Sequence, residues 1–183
     1  KYDSPAYKMN TDEWCEKYGV RKCDTIEELC EKSDAIVVLA PSNPETHLRY
    51  AEKVLKFGKR TYIDKTFAPD VATAEKIFAL AEKHGATIFS SSALRYATEL
   101  DGLNPQNFVV TGGGSNFPEY LVHQAEIAEV LGRGSEFIGG KVVRQGQQRI
   151  CSLEFADGKH ATLIFSPSLP FTVCAETAEG DCY

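Results

Sequence analysis

Several familiar signatures are missing from this sequence, and each absence excludes a class of protein. The six cysteines form no Cys-x-x-Cys pair and have no suitably spaced histidine, so we predict no metal site and interpret them as reduced and mostly structural. The net charge is −6 and the lysines and arginines form no cluster, which argues against nucleic-acid binding. The longest strongly apolar stretch, residues 35–40, is too short to span a membrane, and no signal-peptide pattern opens the chain. We therefore expect a cytoplasmic protein whose partners are small molecules.

What the sequence does contain is typical of a globular protein. Apolar residues make up 43% of the 183 residues and charged residues 25%, which excludes a disordered chain, a collagen and a coiled coil. This length suits two small or incomplete domains.

The first half of the sequence alternates helix and strand signals. Helices are predicted over four segments: 10–18, 25–31, 44–57 and 70–84. Strands are predicted over three segments: 34–40, 61–63 and 86–89. The alternation is typical of right-handed βαβ units, so we predict an α/β fold with a partial Rossmann-type doubly wound parallel sheet.

Local signals add detail to this first sheet. Asn10 and Thr25 each begin a capping-box pattern, and Asn43 is the predicted N-cap of the third helix. The uninterrupted apolar run over 34–40 predicts a strand that is buried on both faces. The helix over 70–84 is expected to bury one stripe: Val71, Ala74, Ile77, Phe78 and Ala81.

The pattern changes near Asn104–Pro105, where we place the boundary between domains 1–103 and 104–183. The second domain is predicted to be α+β, with one main helix over 118–131 and an open antiparallel sheet. Its strands are predicted over five segments: 107–111, 141–145, 149–155, 160–166 and 171–175. Asp157–Gly158 is the expected hairpin turn.

Alternation along one strand indicates how this second sheet is covered. Cys151, Leu153 and Phe155 point one way, towards the helix, because strand side chains alternate between faces. The intervening residues form a mixed face that tolerates either water or a partner subunit: Ile150, Ser152 and Glu154. We therefore expect a homo-oligomer that pairs through this sheet.

Polar residues follow the predicted parallel strands. Ligands bind at the carboxyl ends of the strands in such sheets, and those ends carry three groups: Pro41, Ser42 and Asn43; Asp64, Lys65 and Thr66; Ser90 to Ser92 with Arg95. The helix that starts near Asn43 directs its free N–H groups to the same edge, which suits a phosphate. Each group alone is more typical of an ordinary polar loop than of a binding site. Together they predict one cleft that contains Pro41, Asn43 and Lys65.

Two features carry the chemistry that we expect. Lys65 places an ammonium just beyond a buried strand, where it either binds a substrate hydroxyl or a nicotinamide amide, or simply pairs with Asp64 in solvent. Glu119, His123 and Glu126 share one helical stripe, so a carboxylate lies near an imidazole that is suited to act as a general base. The alternative for this stripe is a solvated helix face or a structural histidine.

One glycine-rich segment does not qualify as a phosphate loop. Gly112–Gly114 lies between a strand and a helix, but Phe117 stands where G-x-G-x-x-G requires its third glycine. No such fingerprint occurs elsewhere in the sequence. The usual pyrophosphate-binding element is therefore missing from these 183 residues.

The order of motifs along nearly the whole chain resembles the glucose-fructose oxidoreductase, inositol dehydrogenase and rhizopine catabolism (Gfo/Idh/MocA) family. The motifs that carry the resemblance are Tyr18-Gly19, Asp34 to Pro41, His47, Gly58-Lys59, Asp64-Lys65-Thr66, Ala81 to Gly85, Arg95-Tyr96, Glu119-x-x-x-His123 and Leu131-Gly132. The family typically has Glu-Lys-Pro at 64–66 and Asp in place of Glu119, while the lysine and the histidine match. The resemblance implies a chain that is shortened at its beginning and at its end.

The resemblance also implies roles for individual residues. It implies that Lys65 contacts substrate and nicotinamide, that His123 is the acid/base, and that Glu119 orients the imidazole or binds a substrate hydroxyl. NAD or NADP is the implied cofactor, and we expect six residues to bind it: Pro41, Ser42, Asn43, Asp64, Lys65 and Arg95. A sugar or cyclitol is the implied substrate.

Two functions remain open from the sequence. The first is an NAD(P)-dependent dehydrogenase that oxidises a secondary alcohol of a sugar, cyclitol or related polyol by hydride transfer. The second is a non-catalytic binding or regulatory protein that keeps the dehydrogenase fold. The missing glycine fingerprint and the altered Asp-Lys-Thr and Glu-x-x-x-His motifs favour the second function, whereas the matching lysine and histidine favour the first.

Overall fold

A computed structural model describes residues 9–40 and 43–176 of the chain, which form two compact units. Within the described residues, the first unit comprises 9–39, 45–63 and 68–89, and the second comprises 40, 43–44, 64–67 and 90–176. The predicted division into domains 1–103 and 104–183 stays a prediction. None of the helices in the described ranges has the length and apolar character needed to cross a membrane.

The first unit contains the predicted parallel sheet. Its elements are α1 (Thr11–Tyr18), α2 (Ile26–Lys32), β1 (Ala35–Val38), α3 (His47–Val54), β2 (Arg60–Ile63), α4 (Val71–His84) and β3 (Ile88–Phe89). The strands lie in the order β1-β2-β3 and every pair is parallel, which confirms the partial Rossmann-type arrangement.

The first two helices of this unit have their N-caps at the residues that the sequence predicts. Asn10 accepts the N–H of Glu13, whose carboxylate accepts the N–H of Asn10, so the first capping box is complete. Thr25 accepts the N–H of Glu28 at 3.0 Å, but the Glu28 carboxylate accepts the N–H of Asp24 instead. The second capping box is therefore only half formed.

The helix predicted over 44–57 is shorter than expected. Only His47–Val54 is α-helical, and it lies between 3₁₀ turns at Pro44–Thr46 and Leu55–Phe57. Thr46, not Asn43, is the N-cap of α3, and its side chain makes no capping hydrogen bond. The predicted cap was wrong because the tighter 3₁₀ turn delays the start of the α-helix by three residues.

Burial in the first unit is narrower than the apolar pattern predicts. In β1, Ile36 and Val38 are buried but Val37 is 60% exposed, so the prediction of two buried faces was wrong. The reason is that α3 packs against β1 and only one face of the strand is covered in the described residues.

The predicted stripe on α4 was also too wide. Ile77 and Ala81 are buried, whereas Val71 and Phe78 are 75% and 56% exposed. At about 100° per residue, Val71 and Phe78 lie roughly 80–100° around the helix from the midline of the buried pair. The surface that packs against α4 therefore covers Ile77 and Ala81 but does not reach Val71 and Phe78.

Lys59 makes a contact that the sequence did not predict. Its ammonium donates hydrogen bonds to three main-chain carbonyls at the end of α2, those of Cys30, Glu31 and Ser33. A cation at a helix C-terminus satisfies carbonyls that have no partner within the helix and interacts favourably with the helix dipole. Lys59 thus links α2 to the start of β2.

The second unit is an α+β fold with one five-stranded sheet. Its elements are β4 (Asn107–Gly112), α5 (Phe117–Gly132), β5 (Phe137–Gln145), β6 (Gln148–Phe155), β7 (His160–Phe165) and β8 (Thr172–Glu176). The strand order is β5-β6-β7-β4-β8, and two 3₁₀ turns, Ala93–Tyr96 and Thr98–Leu100, precede the sheet in sequence. The turn predicted at Asp157–Gly158 joins β6 to β7.

The sheet is mixed, which differs from the purely antiparallel expectation. Strand β4 runs parallel to β7 and antiparallel to β8, while the β5-β6-β7 part is antiparallel as predicted. The difference arises because the chain leaves β4 through α5 and the β5–β6 hairpin, and β7 then returns beside β4 in the same direction. Sequence patterns report which segments are strands but not which strands become neighbours.

The core of the second unit lies between α5 and one face of this sheet. Cys151 and Phe155 are buried while Ser152 and Glu154 are exposed, so the predicted alternation is correct. The buried apolar residues of this core are Leu100, Phe108, Val110, Ile127, Ala128, Leu131, Cys151, Phe155, Ala161, Leu163 and Ala175.

A buried glutamine fastens α5 to the sheet. The Gln124 side chain is fully buried, and its Nε2 donates hydrogen bonds to the carbonyls of Val110 (2.8 Å) and Ile164 (3.0 Å). The two carbonyls belong to the neighbouring strands β4 and β7. One side chain therefore sets the position of the helix against two strands.

The three glycines at 112–114 allow close packing. A β-carbon on Gly112 would lie 2.5 Å from the Phe171 ring, and one on Gly114 would lie 2.1 Å from the Tyr120 ring. A β-carbon on Gly113 would lie 2.2 Å from the carbonyl oxygen of Ser166. These contacts explain why small residues stand here without any role in phosphate binding.

Candidate functional site

The second unit brings Lys65 next to the N-terminal half of α5. Its Nζ lies 3.6 Å from Oε1 of Glu119 and 5.3 Å from the centre of the Tyr120 ring. The side chains of Lys65 and Glu119 are 20% and 16% exposed, so this pair is largely shielded from bulk water. Two of the three residues predicted to be catalytic therefore form an ion pair.

The start of α5 holds Glu119 in place. Asn116 is the N-cap residue, and its Oδ1 accepts the Glu119 N–H at 2.9 Å. The Asn116 amide also donates to Oε2 of Glu119 at 2.9 Å. Because Asn116 orients one carboxylate oxygen, the other oxygen is directed at Lys65.

His123 follows Glu119 by one helical turn and is partly buried. Its Nδ1 lies 2.6 Å from Oγ of Ser92, and its ring packs edge-on against Phe171 at 5.4 Å between ring centres. Burial lowers the pKa of His123 below its ordinary value, and the Lys65 ammonium lowers it further, while nearby Glu119 acts in the opposite direction. The imidazole is therefore neutral near pH 7 and able to accept a proton.

Glu126 forms an ion pair with Arg95, which lies outside helix α5. Its Oε2 accepts a hydrogen bond from Arg95 Nη1 at 2.5 Å, and its Oε1 accepts the main-chain N–H of Ser92 at 3.3 Å. The hydrogen bond from Arg95 to Glu126 raises the pKa of the guanidinium. Glu126 thus binds the 3₁₀ turn Ala93–Tyr96, whereas Glu119 is bound by Asn116 and pairs with Lys65.

The parallel strands have their carboxyl ends on one edge, as the topology requires. Val38 is opposite Ile63 in parallel register, and Tyr62 is opposite Phe89. Lys65 follows the end of β2 by two residues. This arrangement agrees with the placing of polar residues after the strands.

The residues predicted to bind the cofactor differ in their positions and contacts. Pro41 and Ser42 lie outside the described residues. Asn43 precedes the 3₁₀ turn and donates its main-chain N–H to the carbonyl of Ala40 at 3.2 Å, and Asp64 lies within the second unit beside Lys65. Arg95 forms the ion pair with Glu126, which the sequence did not indicate. The cofactor-binding role of these residues stays a prediction.

The residues at the end of β2 suit the polar end of a nicotinamide cofactor. Lys65 supplies up to three N–H donors from a mostly shielded ammonium. Beside it, the hydroxyl of Thr66 is buried and has no hydrogen-bond partner among the described residues. A carboxamide, which both donates and accepts hydrogen bonds, matches this donor set.

The sequence pattern placed Ser92 only among the polar residues at the strand ends, and it did not indicate its contact with His123 or the Arg95–Glu126 pair. A signal for Ser92 was present, because a serine commonly caps the turn that follows it, and Ser92 Oγ accepts the Leu94 N–H at 3.1 Å. The i, i+3 spacing of His123 and Glu126 placed both side chains on one face of the helix. Nothing in the sequence indicated that residues 92–95 pack against that face.

A match to a known family covers much of the first half. Residues 6–92 match the GFO_IDH_MocA family, described as an oxidoreductase family with an NAD-binding Rossmann fold. YhhX, an uncharacterized oxidoreductase of Escherichia coli (strain K12), is 32% identical over 63 residues, which are 34% of this chain and 18% of YhhX.

Solved structures of dehydrogenases share the fold of almost the whole chain. A UDP-N-acetylglucosamine 3-dehydrogenase, GnnA from Acidithiobacillus ferrooxidans, matches 91% of this chain with a TM-score of 0.72 at 16% identity. An aldose-aldose oxidoreductase from Caulobacter crescentus, complexed with glycerol, matches 94% with a TM-score of 0.75 at 17% identity. GenD2 from gentamicin A biosynthesis, in complex with NAD, matches 93% with a TM-score of 0.70 at 17% identity.

The chain is shorter than these proteins, since it spans 62% of GnnA, 66% of the aldose-aldose oxidoreductase and 60% of GenD2. At these identities the likeness concerns the fold. The parallel sheet, the mixed second sheet and the family match over residues 6–92 agree with one another. Residues 6–92 are therefore the part of the chain that matches the Gfo/Idh/MocA family of oxidoreductases and its NAD-binding Rossmann fold.

Proposed function

We propose that this chain is part of an NAD- or NADP-dependent oxidoreductase that oxidises a secondary alcohol of a sugar, cyclitol or related polyol. The observation that carries the proposal is the grouping of Lys65, Glu119 and His123 within the second unit. The sugar-modifying activities named for GnnA and for the aldose-aldose oxidoreductase support the substrate class. We also expect the protein to be cytoplasmic.

The proposed chemistry needs a proton acceptor and a cation. Oxidation of a carbinol breaks the C–H bond with its electron pair and the O–H bond, and a C=O bond forms. A nicotinamide, when bound, supplies the hydride acceptor. His123 takes the hydroxyl proton, because its lowered pKa leaves it unprotonated near pH 7. The Lys65 ammonium donates a hydrogen bond to the substrate oxygen as negative charge develops there.

Glu119 has a supporting role in this proposal. Its carboxylate lies 3.6 Å from the Lys65 ammonium and is oriented by Asn116. It therefore restricts the rotamers of the Lys65 side chain. A substrate hydroxyl that enters the site would find the Glu119 carboxylate as an acceptor and the Lys65 ammonium as a donor.

The first experiment is a binding and turnover assay on the full-length protein. NADH and NADPH are titrated by fluorescence, and a panel of sugars and cyclitols is then tested for reduction of NAD and NADP. We expect saturable cofactor binding and turnover of at least one polyol. Cofactor binding without turnover of any polyol would favour the non-catalytic alternative, and absence of cofactor binding would contradict the proposed dehydrogenase.

Two substitutions separate the roles of the site residues. His123→Ala removes the base and is expected to lower kcat about 10²–10⁴-fold while cofactor affinity stays nearly unchanged. Lys65→Ala is expected to lower kcat and to raise KM for the polyol. His160→Ala and Lys141→Ala are matched controls, because both residues are exposed on the second sheet. Full turnover in His123→Ala would refute the assignment of the base.

We further propose that two copies pair through the open face of the five-stranded sheet. On that face Val143, Ile150 and Ile164 lie in one row across β5, β6 and β7. Light scattering is expected to give a dimer or higher oligomer, and Ile164→Arg to dissociate it. Val71→Arg, an exposed residue of the first unit, is the matched control. A monomer in the unsubstituted protein at high concentration would contradict the pairing.

A further inference from the structure

Ser92 lies directly against the proposed base. The residue is only 1% exposed, and its Oγ lies 2.6 Å from His123 Nδ1. The same oxygen accepts the N–H of Leu94 at 3.1 Å at the start of the 3₁₀ turn. A buried hydroxyl with these two contacts has little freedom to rotate away from the imidazole.

A charged pair holds Ser92 at this distance from the helix. One oxygen of Glu126 accepts the Ser92 N–H, and the other accepts the Arg95 guanidinium. Glu126 and His123 are three residues apart on α5, so they occupy adjacent positions on one face. The carboxylate therefore sets the position of the 3₁₀ turn relative to the helix, and with it the distance from Ser92 Oγ to the imidazole.

We propose that Ser92 is a positioning residue that holds His123 through Nδ1 and makes Nε2 the nitrogen that exchanges a proton with the substrate. The proposal rests on the proposed function insofar as it concerns the substrate. Its structural part, control of the imidazole tautomer, stands without any substrate.

The proposal requires the hydroxyl to accept a hydrogen bond from Nδ1–H, and Ser92 Oγ has the capacity to do so. Ser92 Oγ has two lone pairs, of which one accepts the Leu94 N–H and the other is available to the Nδ1–H of His123. A neutral histidine that serves as base at Nε2 must carry its proton on Nδ1. After Nε2 takes up a proton, the imidazolium still donates Nδ1–H to the same oxygen, so no rearrangement accompanies the transfer.

A hydroxyl also differs from the carboxylate that often orients a catalytic histidine. It accepts the Nδ1–H without adding a negative charge beside the ring. A carboxylate in this place would raise the basicity of the imidazole, whereas Ser92 orients the ring and leaves its charge balance to Lys65, Glu119, Asp64 and Glu126. Orientation and basicity are thus set by different residues.

Nitrogen NMR of the full-length protein tests the structural part directly. The shifts of Nδ1 and Nε2 in ¹⁵N-labelled protein report which nitrogen carries the proton above the pKa of His123. We expect the Nδ1–H tautomer in the unsubstituted protein and in Ser92→Thr, which keeps the hydroxyl. In Ser92→Ala we expect a shift towards Nε2–H. Ser168→Ala, at an exposed serine, is the matched control.

Kinetics test the part that depends on the proposed function. Ser92→Ala is expected to lower kcat on the order of 10–100-fold with little change in KM, as when a functional histidine loses the partner that orients its ring. Ser92→Thr is expected to restore most of the turnover. A merely structural serine would change stability but not the tautomer.

The outcomes separate this inference from the proposed function. A predominant Nε2–H tautomer in the unsubstituted protein would overturn the inference, and so would a tautomer that Ser92→Ala leaves unchanged. The tautomer of the unsubstituted protein can be measured without any variant. The inference can therefore be refuted even if Ser92→Ala does not fold. If the tautomer behaves as expected but no polyol is oxidised, the proposed function fails and the positioning by Ser92 stands.

Discussion

Gly113→Ala is expected to destabilise the second unit through a purely steric effect. The backbone of Gly113 does not have a positive φ angle, so alanine can adopt its conformation without strain. An added β-carbon would lie 2.2 Å from the carbonyl oxygen of Ser166 and 2.8 Å from those of Pro167 and Leu169. Ordinary C···O contacts are about 3.3–3.6 Å, so the backbone must move by roughly 1 Å.

The size of the effect follows from what that movement disturbs. Overpacking of a tight site costs about 1–3 kcal/mol. The segment at 166–169 also makes two main-chain hydrogen bonds, Ser166 N–H to Gly112 and Leu169 N–H to Ser166, each worth about 0.5–1.5 kcal/mol. Alanine recovers about 0.4–1 kcal/mol by restricting the unfolded chain. The midpoints of these ranges combine to about 3 kcal/mol, so we expect Gly113→Ala to lower the free energy of unfolding by about 2–4 kcal/mol.

Urea unfolding followed by circular dichroism measures this change, and the corresponding loss of Tm is roughly 5–15 °C for a chain of this size. Gly139→Ala is the matched control, because the nearest atom to its added β-carbon is 4.0 Å away, at the end of the Glu154 side chain. We expect that control to be neutral or slightly stabilising. Equal stabilities for the two variants would refute the steric explanation of Gly113.

Three further predictions concern single contacts. Gln124→Met is expected to lower the free energy of unfolding by about 1–3 kcal/mol in urea, because two buried carbonyls lose their donor; an unchanged midpoint would contradict this. Lys59→Met should cost about 1–2 kcal/mol while Lys141→Met, at an exposed lysine, stays within about 0.5 kcal/mol; equal costs would remove the capping role of Lys59. Because the pKa of His123 is lowered in the folded protein, the unfolded chain binds more protons below about pH 6.5. The contribution of His123 to the free energy of unfolding is therefore complete above that pH and declines as the pH falls. An NMR titration that gives His123 a pKa at or above 6.5 would contradict this prediction.

Local structure in the first unit was predictable where it depends on contacts between residues that are close in sequence. The Asn10 capping box and the left-handed glycine at 85 depend on contacts within a few residues of the chain, so their sequence patterns were sufficient. The exposure of Val37 and Phe78 was not predictable in this way. An apolar residue is buried only if another element covers it, and the sequence pattern does not say which element does so.

The residues of the candidate site were predictable from the sequence, but their contacts were not. Lys65 and His123 stood out in the sequence as a cation beyond a strand and an imidazole on a helix stripe. The partner of each came from packing: Glu119 approaches Lys65, and Ser92 approaches His123, across separations of 54 and 31 residues. Such contacts depend on how the segments 64–67 and 90–96 lie against α5, which no local spacing reveals.

Residue types and their spacing were enough to predict the order of helices and strands, most of the caps, the alternation along β6 and the resemblance to an oxidoreductase family. They were enough because these properties depend on residue type and short-range spacing. Packing between distant segments was needed to show that β4 runs beside β7, that Arg95 pairs with Glu126 and that Ser92 contacts the imidazole of His123. Strand order and long-range hydrogen bonds are set by the packing of elements that are distant in sequence. A single sequence does not show which of these elements become neighbours.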